Sequence, residues 1–142
     1  CDCSGNTTNV QPYFSGSTAA RYSASVYYVG ASSAVEGSPA LKRKVLKDGK
    51  AEDEEIALGV ENMELVYGLD SDSDGQVDQY KTAGGIGVDE WFQGYSVRLS
   101  MVFRSQVPSL NNSEEVELLG RTYNDKYMRQ VVTSTYRLRN RI

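Results

Sequence analysis

Apolar and polar residues alternate along several stretches of the chain, and this alternation is its main structural signal. In residues 95–104, apolar side chains occupy the odd positions and mostly polar ones the even positions. The same period of two occurs in residues 22–28 and 63–69. Such a period predicts strands that bury one face and expose the other. The pattern therefore places Leu99 in the core and Ser100 in solvent.

Two further strands and one helix complete the predicted elements. Residues 41–46 and 128–142 read as strands, the first with a heavily basic exposed side. Asp48-Gly49 favours a tight turn after the first of these. Residues 52–55 are all acidic, which suits a helix N-terminus, and apolar residues follow at helical spacing. We therefore expect a helix of about two turns within residues 52–60.

The polar segments and the absence of repeats define the domain organisation. Residues 1–20 form a polar N-terminal segment, and residues 108–117 are predicted to be a polar loop. The chain of 142 residues is long enough for one core. We expect an α+β fold in a single domain spanning residues 1–142, built from one antiparallel β-sheet covered on one face by helical structure.

Composition narrows the classes of function. The net charge of −4 disfavours nucleic acid as a partner. The sequence contains no histidine, so the usual general base and most zinc sites are missing, and we expect no enzymatic activity. No apolar run approaches the roughly 18 residues that span a bilayer.

The first residues raise a separate question of processing. Cys1 and Cys3 are the only cysteines, and a disulfide between them would close a small, strained ring. Pairing with an upstream residue, free thiols and lipid attachment at Cys1 are the alternatives. A start at Cys-Asp-Cys suggests a processed protein or a soluble fragment.

An aspartate-rich loop after residues 63–69 carries the clearest chemistry. Carboxylates stand at its positions one, three, five and nine, and position seven offers a backbone carbonyl: Asp70, Asp72, Asp74, Asp78 and Gln76. Alternate side chains converge because the chain wraps the ion, and the glycine at position six permits the sharp turn. Calcium prefers such an oxygen-rich shell, whereas zinc and copper require nitrogen or sulfur. The loop is therefore predicted to bind calcium.

The loop departs from a regulatory calcium site at its end. Lys81 stands at position twelve, where a bidentate glutamate normally closes the shell. A strand, not a helix, precedes the loop, so a structural ion is predicted instead of a switch. Glu64, Asp89 and Glu90 are the candidates for a more distant ligand. An acidic turn without metal and a glycosidase carboxylate pair are the alternative interpretations.

Three segments resemble a known family: GVENMELVYGLDSDSDGQVDQY (residues 59–80), YSVRLSMVFRS (95–105) and YMRQVVTSTYRLRNR (127–141). They are similar to the PilW family of type IV pilus minor pilins. The resemblance implies a pilin-like headgroup whose long N-terminal helix packs on the sheet and is missing from this chain. It also implies a role in priming pilus assembly with other minor pilins and the major pilin, near the fibre tip.

The resemblance further implies an extracytoplasmic location. The protein would lie at the periplasmic face of the inner membrane before assembly and in the cell-surface pilus afterwards, with membrane contact only through the missing helix. A GspJ-type minor pseudopilin of type II secretion is the close competitor. A calcium-stabilised extracellular adhesion or carbohydrate-binding module is the alternative of a different class.

Overall fold

The computed structural model describes residues 24–47 and 50–138, which consist almost entirely of strands and connecting loops. Among these residues, no helix is long and apolar enough to cross a membrane. Two 3₁₀ segments, Ala83–Gly85 and Val88–Gln93, lie between the fifth and sixth strands. The strands are β1 (Ser25–Ala31), β2 (Pro39–Lys47), β3 (Lys50–Leu58), β4 (Val60–Leu69), β5 (Gln79–Lys81), β6 (Gly94–Arg104), β7 (Glu114–Leu118), β8 (Arg121–Asp125) and β9 (Arg129–Arg137).

The strands form three antiparallel sheets, in the orders β1-β2-β3, β5-β4-β6-β9 and β7-β8. Strands β1 and β2 lie against β4, so the first sheet packs beside the four-stranded one. The predicted α+β fold with a single sheet is therefore wrong. The described residues form a mostly β protein with three sheets and no α-helix.

The predicted helix at residues 52–60 is instead strand β3. Its acidic residues face the basic residues of β2: Arg43 stands opposite Glu54, and Lys44 opposite Asp53. Arg43 forms an ion pair with Glu54, and Lys44 Nζ lies 3.5 Å from Asp53. Opposite charges on directly opposed residues favour strand pairing. This cross-strand charge match between the two neighbouring strands of one hairpin overrides the local helical pattern.

The alternation predicted for β6 is present, but its burial is reversed. Ser96, Ser100 and Val102 are buried, whereas Leu99 and its apolar neighbours are only half-buried. Leu99 and Met101 line an open cavity of about 440 Å³, here called the apolar groove. Its lining residues are Tyr27, Leu41, Met63, Leu65, Leu99 and Met101. Leu65 remains 38% exposed. The predicted positions of Leu99 in the core and Ser100 in solvent are therefore wrong for the described residues, because the described elements leave the groove open.

Other predicted segments have mixed outcomes. Strands occur at residues 41–46, 63–69 and 95–104, as predicted. The predicted polar loop at residues 108–117 contains the start of a hairpin, since β7 pairs with β8. The N-terminal segment 1–20, the Asp48-Gly49 turn and residues 139–142 lie outside the described residues.

Candidate metal centre

The aspartate loop, residues 70–78, connects β4 to β5 and is held to the sheet at both ends. At its base Leu69 pairs with Gln79. The Asp78 N–H donates to the Leu69 carbonyl at 2.9 Å. The Asp70 N–H donates to the carbonyl of Gln93, also at 2.9 Å. These backbone hydrogen bonds fix both ends of the loop to the sheet, so that the side chains between them can converge on one point.

Three carboxylates of the loop converge. Oxygens of Asp70, Asp72 and Asp78 all lie within 4.8 Å of one another. Two oxygens that bind one calcium ion at 2.3–2.6 Å lie at most about 5 Å apart. The three side chains therefore fit a single ion of that size. Their hard oxygen atoms are also the ligand type that calcium prefers.

Asp70 forms the buried floor of this cluster, with only 1% of its surface exposed. Its Oδ2 accepts a hydrogen bond from the Gly75 N–H at 3.2 Å. Burial of a carboxylate beside two others carries a desolvation cost and a repulsion cost. A bound dication would offset both. Asp72 and Asp78, by contrast, are exposed at the mouth of the loop.

Asp74 lies outside the cluster of three. Its Oδ1 accepts the Gln76 N–H at 2.8 Å, and its Oδ2 accepts the Gln76 side-chain amide at 3.0 Å. Gly75 between them has φ of +89°, a conformation that glycine adopts without strain. The Asp74 N–H in turn donates to Asp72 Oδ1 at 3.1 Å. In the structure, the Asp74 carboxylate is therefore hydrogen-bonded to Gln76 and is not one of the three converging carboxylates.

Ser71 organises Asp78, a contact that the spacing of the aspartates does not reveal. Both the hydroxyl and the N–H of Ser71 donate to Asp78 Oδ2, the N–H at 2.7 Å. These hydrogen bonds, the hydroxyl's foremost, lower the pKa of Asp78 below its ordinary value. The carboxylate is thus held in its charged form. Only the folded loop brings position two against position nine.

The candidates for a more distant ligand do not join the cluster. Glu90 receives Lys81 Nζ at 2.7 and 2.9 Å and the Gly87 N–H at 2.8 Å. The Lys81 ammonium is the main cause that lowers the pKa of Glu90. Among the described residues, the three-aspartate cluster includes neither Glu64 nor Asp89. The lysine at position twelve is therefore paired with Glu90, which is not part of the cluster.

The family comparison covers this site and most of the fold. The chain matches the Type IV Pilus-assembly protein W family, PilW, over residues 26–140. The chain belongs to the PilW family. The resemblance carried by residues 59–80, 95–105 and 127–141 is thereby confirmed. No curated protein and no solved structure matches the chain significantly.

Membership in the PilW family assigns the chain a general role. It is a type IV pilus assembly-related protein, and it associates with the cell envelope and with other pilus components. The matched range contains the whole aspartate loop and β2 to β9. The candidate metal centre therefore lies within the part of the chain that matches the family.

Proposed function

We propose that this PilW protein is a minor pilin, a non-enzymatic subunit that primes assembly of a type IV pilus with other minor pilins and the major pilin. The match to the PilW family over residues 26–140 carries this proposal. In it, the protein lies at the periplasmic face of the inner membrane before assembly and near the fibre tip at the cell surface afterwards.

The apolar groove supports the proposal. Leu99 and Met101 of β6 and Met63 and Leu65 of β4 share one side of the four-stranded sheet. A cavity walled by apolar side chains is stabilised when another apolar element removes it from water. A long apolar helix outside residues 24–138 is the element that a minor pilin would place there. The groove then becomes the seam between helix and headgroup.

Binding to other pilins tests this proposal. The present chain is compared with a version that carries a pilin N-terminal helix, and each is mixed with the purified minor pilins of the same pilus. We expect the helix-bearing version to bind more tightly, because the helix contributes to subunit bundling. Equal affinity for both versions would favour a self-contained adhesion module instead.

A matched pair of variants examines the groove itself. Leu65→Lys should lower the melting temperature of the helix-bearing version far more than that of the present chain, because only the former covers Leu65. Glu64→Lys is the control, since Glu64 directly precedes Leu65 on β4, is exposed and does not line the groove. Equal effects of the two substitutions in the helix-bearing version would contradict a covered groove.

We also propose that the aspartate loop binds one structural calcium ion. Asp70, Asp72 and Asp78 supply the converging oxygens, and Asp74 and the Gln76 carbonyl are the remaining ligands expected from their loop positions. Lys81 in place of a closing glutamate supports a structural ion of modest affinity. In this role calcium rigidifies the β4–β5 connection and transmits no conformational signal.

A further inference from the structure

Strand β9 forms one edge of the four-stranded sheet. It pairs with β6 over nine consecutive positions, from Arg129 opposite Arg104 to Arg137 opposite Ser96, without a register shift. Within the described residues, no strand pairs with its other side. A regular strand of this length presents a continuous row of backbone donors and acceptors.

Two hydrogen bonds at the ends of the ladder show which residues face outward. The Ser105 N–H donates to the Met128 carbonyl at 2.9 Å, and the Leu138 N–H donates to the Tyr95 carbonyl at 2.8 Å. In an antiparallel ladder, residues bonded to the neighbouring strand recur at every second position. The even-numbered residues of β9 therefore bond to β6. The odd-numbered residues direct their N–H and C=O groups away from the sheet: Arg129, Val131, Thr133, Thr135 and Arg137.

The side chains of β9 do not protect this edge. Residues 130–136 contain no charge and no proline, and all of them are exposed. Natural edges are usually protected by charges, proline, bulges or short length. The opposite edge of the same sheet, β5, follows that rule, since it has three residues and ends at Lys81. Edge strand β3 also follows it, with four consecutive carboxylates at residues 52–55.

We propose that the β9 edge binds an extended strand of another pilus subunit, which joins the sheet as its fifth strand. This inference rests on the proposed minor-pilin function. A strand is the occupant because only an extended backbone offers complementary groups at the spacing of the outward-facing row. A helix satisfies its own backbone groups, and a lipid surface has none to offer in such a row.

The flanking charges specify the incoming strand further. Uncharged β-branched and aromatic residues along β9 favour similar residues opposite them. At one end Arg137 is exposed and lies over the Tyr95 ring at 4.4 Å, so an acidic residue fits there. Full antiparallel overlap with β9 of a second copy would instead place Arg137 opposite Arg129, which is already paired with Asp125 and Glu61, and β9 itself contains no acidic residue that could pair with Arg137. The charges therefore favour a different subunit over a copy of this chain.

Hydrogen exchange tests the edge directly. The probes are the purified soluble domains of the other pilins of the same pilus, each mixed in turn with the present chain. In the free chain, the amides of Val131, Thr133 and Thr135 should exchange fast, and those of Val132 and Ser134 slowly. In the complex, the three fast amides should become protected. A complex that leaves them unprotected would overturn the proposal.

Two substitutions at one residue separate backbone from side-chain effects. Thr135→Pro removes an outward N–H and no bond to β6, and should weaken the complex by about tenfold or more. Thr135→Ala keeps the N–H and should bind like the unmodified chain. Thermal melts test whether both variants fold. If the proline variant does not fold, the hydrogen-exchange measurement on the unmodified chain decides whether the β9 edge binds the other pilin.

The outcomes distinguish this proposal from the function on which it rests. If a folded Thr135→Pro variant still binds other pilins with unchanged affinity, the proposed β9 interface is wrong, whereas the proposed minor-pilin function is not affected. Self-association of the chain that Thr135→Pro removes, seen by light scattering, overturns the choice of another subunit as the occupant. Binding to no pilin, with or without the N-terminal helix, overturns both proposals.

Discussion

Val77 of the aspartate loop packs directly on Gly68 of β4. A Cβ atom at Gly68 would lie only 2.9 Å from each of the two Val77 methyl groups, and it would also collide with the Ser96 hydroxyl. Gly68 is buried, so the neighbouring backbone leaves little room to yield. The missing side chain at Gly68 is therefore what allows the loop to close on the sheet.

Gly68→Ala should displace Val77 and loosen the loop. We expect a lower melting temperature and a weaker stabilisation by calcium, because overpacking of a tight site costs about 1–3 kcal/mol. Thermal melts with and without calcium measure both effects. Gly84→Ala is the control, since a Cβ there meets nothing within 4 Å. A Gly68→Ala variant that melts like the unmodified chain would show that the contact is not tight.

Calcium should stabilise the folded chain. Extracellular calcium sites bind at roughly 10⁻⁴–10⁻³ M, and a concentration of ten times the dissociation constant adds about 1.4 kcal/mol. For a domain of this size, that gain raises the melting temperature by roughly 3–8 °C. Asp72→Asn and Asp78→Asn should remove most of the gain, while Asp89→Asn, outside the cluster, should leave it unchanged. If millimolar calcium gives no heat of binding in calorimetry and no change in melting temperature, the loop does not bind calcium and is only an acidic turn.

Trp91 should report calcium binding by fluorescence. It is the only tryptophan, and its ring meets the Tyr67 ring edge-on with centroids 5.1 Å apart. Two residues further on, the Gln93 carbonyl accepts the Asp70 N–H. Ordering of the loop should therefore change the emission of Trp91 as calcium is added. The change should disappear in Asp72→Asn, and its persistence there would point to calcium binding elsewhere.

Asp125 should make the stability of the protein depend on pH in the acid range. Both of its oxygens accept hydrogen bonds from Arg129 at 2.7 Å, which lowers the pKa of Asp125 from 3.8 to about 2. The unfolded chain therefore binds the proton at higher pH than the folded one. The contribution of Asp125 is fully present above about pH 4 and is lost as the pH falls towards 2. Asp125→Asn should reduce the change of the unfolding free energy with pH over this range, as measured by denaturant titration at several pH values. An unchanged dependence on pH would show that the Asp125–Arg129 ion pair contributes little to stability.

Substitutions on opposite faces of β6 should show where the core lies. Val102 is fully buried, and Val102→Ala should lower the free energy of unfolding by about 2 kcal/mol. Leu99→Ala should cost less in the present chain, because Leu99 lines the open groove. Denaturant titration measures both values. A larger loss for Leu99→Ala would indicate that the groove is closed in solution.

Local patterns sufficed for some elements and failed for others. The period of two at residues 63–69 and 95–104 correctly predicted β4 and β6. Successive side chains of a strand point to opposite faces, so two chemically different faces produce an alternation within the strand's own sequence. The acidic run at residues 52–55 misled the prediction of a helix. Its partner is the basic strand β2, which directly precedes it in the chain. The opposite charges meet only across the paired strands, and a helical spacing counted within residues 52–60 does not include that pairing.

The sequence by itself determined the family, the nine-residue aspartate loop and the alternation of β6. Each depends on residue order or on spacing along one segment. Only the tertiary structure decided that Asp70 is buried, that Asp72 and Asp78 are the carboxylates that join it, and that Val102 is buried on β6 while Leu99 lines an open groove. Burial depends on which distant segments cover a residue, and the convergence of the carboxylates depends on how the loop folds between β4 and β5. Spacing along the chain specifies neither.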